Sequence, residues 1–201
     1  MKMIMFNDKY CLTLAVLNGE KTMTRRVLRD NVPLGNWDET IKHLPYKVGD
    51  IIAIAQPYKD IIESLPMYSN AILDEVGMPR KEFQAGWTNK MFVRPDLMPH
   101  HIRITDVKVE RLQDISKEDC LKEGIISLES LSIIGEDAYF FAVKRKVRQM
   151  YDNILKFFSS PQRAYADLID KISGKGTWKR NPWVVAYSFE LLIKNENIST
   201  I

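Results

Sequence analysis

The sequence predicts a mixed α+β domain built on a small, largely antiparallel β-barrel with flanking helices. Three observations point there. Runs of strand length recur along the chain: Ile51–Ala55 is continuously apolar, while Ile102–Val109 and Trp183–Leu191 alternate apolar with polar residues. The element order implies few parallel crossovers, since helices interrupt the strands without a regular strand–helix–strand repeat. Finally, 201 residues at 45% hydrophobic and 27% charged describe one ordinary globular domain, long enough to bury a core.

Taken in order, Met3 to Phe6 reads as a short apolar strand, with Asn7 or Asp8 placed to cap the following helix. That helix, Tyr10 to Leu17, sets Tyr10, Leu14 and Leu17 on one face with Cys11 alongside, which reads as core. Asn18-Gly19 ends it, because glycine takes the left-handed conformation that helix C-termini favour. Arg25-Arg26-Val27-Leu28 continues extended, and Arg29 to Tyr46, with Pro33, Gly35 and Pro45, reads as a loop. Lys47-Val48-Gly49-Asp50 turns into the Ile51–Ala55 strand. From 59 to 99, Pro66, Gly77, Pro79, Gly86, Pro95 and Pro99 break any long element and leave room for a strand over Trp87–Val93. In the strand from His101 to Leu112 a turn or bulge near Asp106 shifts the alternation.

Ser116 caps a helix that stops at Gly124, with Glu118 and Asp119 in its first turn. Asp137 to Phe158 places Tyr139, Val143, Val147, Met150, Ile154 and Phe158 at helical spacing and predicts a longer helix. Ser160-Pro161 starts another, with Ala164, Leu168 and Ile172 inward and Gly174 as its stop. Lys175 to Asn181 is a basic loop carrying Trp178, and Pro182 to Ile193 is the last strand, with Trp183, Val185, Tyr187, Phe189 and Leu191 on its apolar register. The domain is expected to span residues 1–193, with a polar tail over 194–201.

Charge and composition narrow the function. A net charge of +3 is compatible with a polyanionic partner. No apolar run approaches the ~18 residues of a membrane span, and Met1 to Asp8 has too short an apolar core for a signal peptide. Cys11 and Cys120 suggest no disulfide framework, so a cytoplasmic setting is expected. His43, His100 and His101 lack metal-ligand spacing, so neither a metal site nor another cofactor is expected.

The chemistry gathers at Gly19-Glu20-Lys21-Thr22-Met23-Thr24-Arg25-Arg26, where a helix turns into a strand. Lys21, Arg25 and Arg26 attract an anion such as a phosphate or carboxylate. A lysine beside a threonine also has the makings of a base and a nucleophile. A solvated basic turn would carry the same residues. Glu123 ends its helix where the dipole opposes a carboxylate, so something other than helix stability has reason to place it there. Trp178, Lys179 and Arg180 combine an aromatic with cations, which suits base stacking, although a tryptophan before a strand is also a common packing anchor.

Gly19-x-Lys21-Thr22-x-Thr24-x-Arg26, Val48-Gly49-Asp50, Val107-x-Val109-x-x-Leu112, Asp119-Cys120-x-x-Glu123-Gly124 and Asn181-Pro182-Trp183-Val184-x-x-Tyr187-x-Phe189 together resemble the ASCH (activating-signal-cointegrator homology) domain, in particular its phage and prophage subgroup. The resemblance covers residues 1 to about 60 and 98 to 193, with 60–97 and 125–159 as elaborations. It implies a PUA-like β-barrel and a cleft that binds RNA or a modified nucleoside, with Thr22, Arg25, Arg26, Trp178, Lys179 and Arg180 as ligand contacts. One bacterial branch of the family hydrolyses acetylcytidine. Similarity to that branch implies an alternative, an amidohydrolase in which Thr24 is the nucleophile, Lys21 its base and Glu123 the orienting or proton-shuttling acid. A third reading is an accessory protein that docks a protein partner through residues 138–158.

Overall fold

The computed structural model describes residues 1–64, 85–129, 139–145 and 154–192, and within them the protein is mixed α+β. The elements are β1 (Lys2–Ile4), α1 (Leu12–Leu17), β2 (Met23–Val27), α2 (Trp37–Lys42), β3 (Ile51–Ile54), α3 (Tyr58–Ser64), β4 (His101–Arg111), α4 (Lys117–Lys122), β5 (Ile126–Glu129), β6 (Tyr139–Arg145), β7 (Ile154–Phe158), α5 (Pro161–Ser173), α6 (Thr177–Arg180) and β8 (Trp183–Leu192). The chain divides into two compact units. One comprises Met1–Phe6, Ile51–Arg103 and Leu191–Ile201; the other comprises Asn7–Asp50 and Ile104–Glu190. Among the described residues, no helix is long and apolar enough to cross a membrane.

In the first unit, β1 lies parallel to β3 with Met3 opposite Ala53, and β3 lies antiparallel to the start of β4 with Ile52 opposite Ile102. Its core joins Ala53 and Ala55 to Tyr58, Ile61, Val93, Leu97 and Met98. Within Trp87–Val93 the segment Lys90–Phe92 is a single 3-10 turn and not a strand. The Asn89 side chain accepts from the Met91 amide at 3.0 Å and so competes with extended pairing.

In the second unit the strands run β4, β8, β2, with β2 and β8 antiparallel. The register sets Thr24 opposite Tyr187 and Arg26 opposite Val185. A separate antiparallel sheet runs β5, β6, β7. Among the described residues these strands keep open edges and close no barrel. The two caps expected for α4 and α5 form: Ser116 Oγ accepts from the Asp119 amide at 3.0 Å, and Ser160 Oγ from the Arg163 amide at 3.3 Å. Each such cap contributes about 1 kcal/mol.

Several local expectations are corrected. The helix expected over Asp137–Phe158 is replaced, where the chain is described, by strands β6 and β7. Spacing of four is a multiple of the strand period as well as about one helical turn, so apolar residues at that spacing are compatible with either structure. The aromatic and β-branched content of Tyr139-Phe140-Phe141-Ala142-Val143 then favours the strand. Val147 and Met150 lie outside the described residues. The loop expected over Arg29–Tyr46 contains α2, capped by Asn36, and the basic loop before β8 contains α6. Cys11 sits at φ 56°, left-handed, and restarts the helix at Leu12. The phase therefore shifts: Leu12, Ala15 and Val16 are buried, while Leu14 is 47% exposed. Ile172, expected inward, is exposed, and so is Trp183, although Val185, Tyr187 and Phe189 are buried as expected.

Candidate functional site

The basic turn after α1 does not stay in solvent. Gly19, at φ 75°, lets the chain reverse, and the Glu20 and Lys21 amides both donate to the Ala15 carbonyl. Lys21 enters the protein just before β2, with 2% of its surface exposed. Its Nζ donates to the Met23 carbonyl at 2.7 Å, to the Glu123 carbonyl at 2.8 Å and to Glu123 Oε2 at 2.6 Å. Glu123 caps the C-terminus of α4, so its carbonyl belongs to the set that a helix end leaves without an intrahelical donor. Lys21 thus answers both the helix end and the carboxylate that the helix dipole opposes. Gly124 makes room for this: at φ +98° it is left-handed, and a Cβ there would lie 3.3 Å from Leu12 and 3.7 Å from the Lys21 side chain.

Arg25 joins the same cluster from β2. It pairs with Glu110 at 2.7 Å, Asp119 at 2.6 Å and Glu123 at 3.3 Å, and its side chain is fully buried. Lys108 completes the network, lying 3.0 Å from Asp119 and 3.1 Å from Glu110. Burial opposes the Arg25 charge, but Glu123, Asp119 and Glu110 outweigh it and raise its pKa further above the usual arginine range. For Lys21 the balance falls the other way. Burial lowers its pKa, with Arg26 and Arg25 adding to the effect, and Glu123 only partly offsets this. Cys120, beside the network, is buried and its thiol is pushed up to about 12. The Tyr165 hydroxyl is buried without a hydrogen-bond partner among the described residues, and burial together with Glu123 holds its pKa well above the usual phenol range.

Asp119 gives the network a signature in acid. Burial works against its charge, but Lys108 and Arg25 outweigh burial and hold its pKa below the ordinary 3.8. The unfolded chain therefore binds this proton more tightly than the folded one. The contribution is full above about pH 4 and is lost as pH falls through the lower folded value. Asp119→Asn is expected to lower stability at neutral pH and to flatten the acid limb of a stability-versus-pH curve; an acid limb identical to wild type contradicts this.

The opposite face of β2 is different in kind. Strand alternation sets Met23 and Arg25 on the network side and Thr24 and Arg26 on the other. Arg26 is exposed and borders a cavity of about 410 Å³, lined by Arg26, Val27, Leu28, Arg29, Asn31, Val32, His43, Leu44, Pro45 and Val185. Among the described residues, no carboxylate stands in that lining. Thr24 is 5% exposed, opposite Tyr187, whose ring meets Tyr46 edge-on at 5.3 Å.

The expected site residues therefore separate. Lys21, Glu123 and Arg25 come together, and Thr24 and Arg26 occupy the alternate face. Thr22 is stapled by its backbone, its amide donating to the Lys122 carbonyl and its carbonyl accepting from the Phe189 amide. Trp178 packs edge-on against Tyr165 at 6.2 Å, the arrangement of a packing anchor. Arg180 is tied to the Thr177 hydroxyl at 2.9 Å, and Lys179 is exposed. Arg29 and His43 line the cavity from a stretch expected to be loop; a second arginine three residues after Arg26 was the available signal. Compared with known protein families, curated proteins and solved structures, the chain matches none.

Proposed function

We propose that this chain is an ASCH-type domain of the PUA-like group that binds RNA or a nucleoside-like ligand in the cavity beside Arg26, and that it acts in the cytoplasm. The observation that carries the reading is the cavity itself. At about 410 Å³ it falls in the size range of small-molecule sites, and apolar walls combine there with Arg26, Arg29 and His43 and, among the described residues, no carboxylate. That lining suits a ligand with an apolar, planar body and a negative group. The PUA-like barrel expected from the sequence motifs remains part of this proposal. Lys21 and Arg25, already engaged by carboxylates, support β2 from behind and are not assigned ligand contacts. The test is a titration with single-stranded RNA at low and moderate salt. Binding that weakens as salt rises is expected, because phosphate contacts release counterions; no binding at low salt, or binding indifferent to salt, rejects the reading.

The contact between Lys21 and Glu123, with the lowered Lys21 pKa, favours a second reading, the amidohydrolase. Because Thr24 lies on the face of β2 opposite the Lys21 network, this reading requires the segment to rearrange. Thr24 Oγ would then attack the acetyl carbonyl, its proton passing to Lys21 and on to the leaving cytidine amine as the C–N bond breaks, and water would free the acyl group from Thr24. A neutral lysine donates only two hydrogen bonds, so Lys21 must release at least one of the Met23 carbonyl, the Glu123 carbonyl and Glu123 Oε2 to serve as base. Purified protein incubated with acetylcytidine decides it. Deacylation above background that falls to background in Thr24→Ala supports the hydrolase, and an inactive wild type removes it while leaving the binding reading intact.

A further inference from the structure

The face of β8 that floors the cavity does not end at Val185. Two residues earlier on the same face stands Trp183, 39% exposed, although the alternating pattern would bury it. Its carbonyl accepts from the amide of Leu28, a cavity-lining residue, at 3.0 Å. Strand geometry puts Trp183 about 7 Å along the sheet from Val185. One side of the indole is taken: the Arg111 guanidinium stands 5.0 Å from the ring centroid and is itself held by the Asn181 carbonyl at 3.1 Å. Lys179 and Arg180, both exposed, precede the strand on α6. A buried tryptophan would need none of this arrangement. A tryptophan backed by a fixed guanidinium, beside a cavity lined by Arg26 and Arg29, is built as a stacking surface.

We propose that Trp183 and Arg111 form a second nucleotide position, so that the site reads at least two successive nucleotides of a single strand and not a free nucleoside. This rests on the cavity being the ligand site. One nucleotide enters the cavity with its phosphate near Arg26 and Arg29, and the neighbouring base stacks on the open face of Trp183. The ~7 Å step along the strand matches the spacing of adjacent bases in an extended single strand, and stacking on an aromatic tolerates any base. Arg111 fixes the indole from behind and adds positive charge where the backbone passes.

Affinity is compared for cytidine 5′-monophosphate and for a 5′-phosphorylated cytidine dinucleotide, in wild type, Trp183→Ala, Trp183→Phe and Arg26→Ala. Wild type is expected to bind the dinucleotide about ten-fold more tightly than the mononucleotide, in line with one aromatic stacking contact. Trp183→Ala is expected to abolish that gain, and Trp183→Phe to keep most of it, which separates stacking from any loss of fold. A dinucleotide no tighter than the mononucleotide, or a gain that survives Trp183→Ala, overturns this inference while mononucleotide binding that depends on Arg26 keeps the cavity reading. Failure of both probes to bind, or binding indifferent to Arg26, overturns both. A polyglutamate peptide that competes as well as the dinucleotide also overturns it, since the surface would then read charge alone.

Discussion

Arg25→Met is expected to lower the unfolding free energy by about 3–5 kcal/mol, the range for removing one partner of a buried ion pair. The side chain is fully buried and holds Glu110, Asp119 and Glu123 at once. Taking it away leaves these carboxylates facing one another with the weaker compensation of Lys21, Lys108 and Lys122. The methionine fills most of the volume, so the loss is electrostatic and not a cavity effect. Two features identify the cause in a urea titration. The penalty shrinks in acid, as the carboxylates become neutral, and a second change, Glu123→Gln in the Arg25→Met background, costs less than Glu123→Gln alone. A penalty below about 1 kcal/mol at neutral pH would place Arg25 with surface ion pairs, whose worth is of that order.

The other large effect concerns binding. Arg26→Ala with Arg29→Ala is expected to weaken single-stranded RNA by about ten-fold or more per arginine, since hydrogen bonds to charged groups are each worth about 1.5–3 kcal/mol. Both arginines are exposed at the cavity rim, so the fold should hold, and thermal unfolding close to wild type checks this. The salt dependence should change as well. Each lost phosphate contact reduces the log–log slope by about 0.7 on a single strand, so the double variant should be flatter by about 1.4. Lower affinity with an unchanged slope would mean that the arginines shape the cavity without touching phosphate.

How much of this was legible in the sequence depended on the range of the forces involved. The caps Ser116 and Ser160, the stop at Gly19 and the strands around Ile52, Ile104 and Val185 were readable, because each follows from residues a few positions apart. Residues 139–145 were misread because a four-residue spacing satisfies both periods, and only pairing with β5 and β7 decides between them. Leu14 was misread because one left-handed residue, Cys11, resets the helix. The motif residues Lys21 and Glu123 do meet, but Lys21 is a buried member of an ion network and not a side chain at the mouth of a cleft. Whether a cation is solvated or locked among carboxylates depends on partners about a hundred positions away, which no local pattern reports. For the same reason Arg25 and Arg26, adjacent and chemically alike, were assigned one role. Strand alternation gives them opposite faces and different tasks.

The most direct test of the central claim is to find where RNA touches the protein. A short single-stranded RNA carrying 4-thiouridine is crosslinked by light at low salt, and the adducts are mapped by mass spectrometry. Adducts are expected on the segments 26–32 and 43–45 and at Trp183, with loss of the first group in Arg26→Ala. Adducts confined to the β5–β7 sheet, or spread evenly over exposed lysines, would contradict a ligand site on this face of β2.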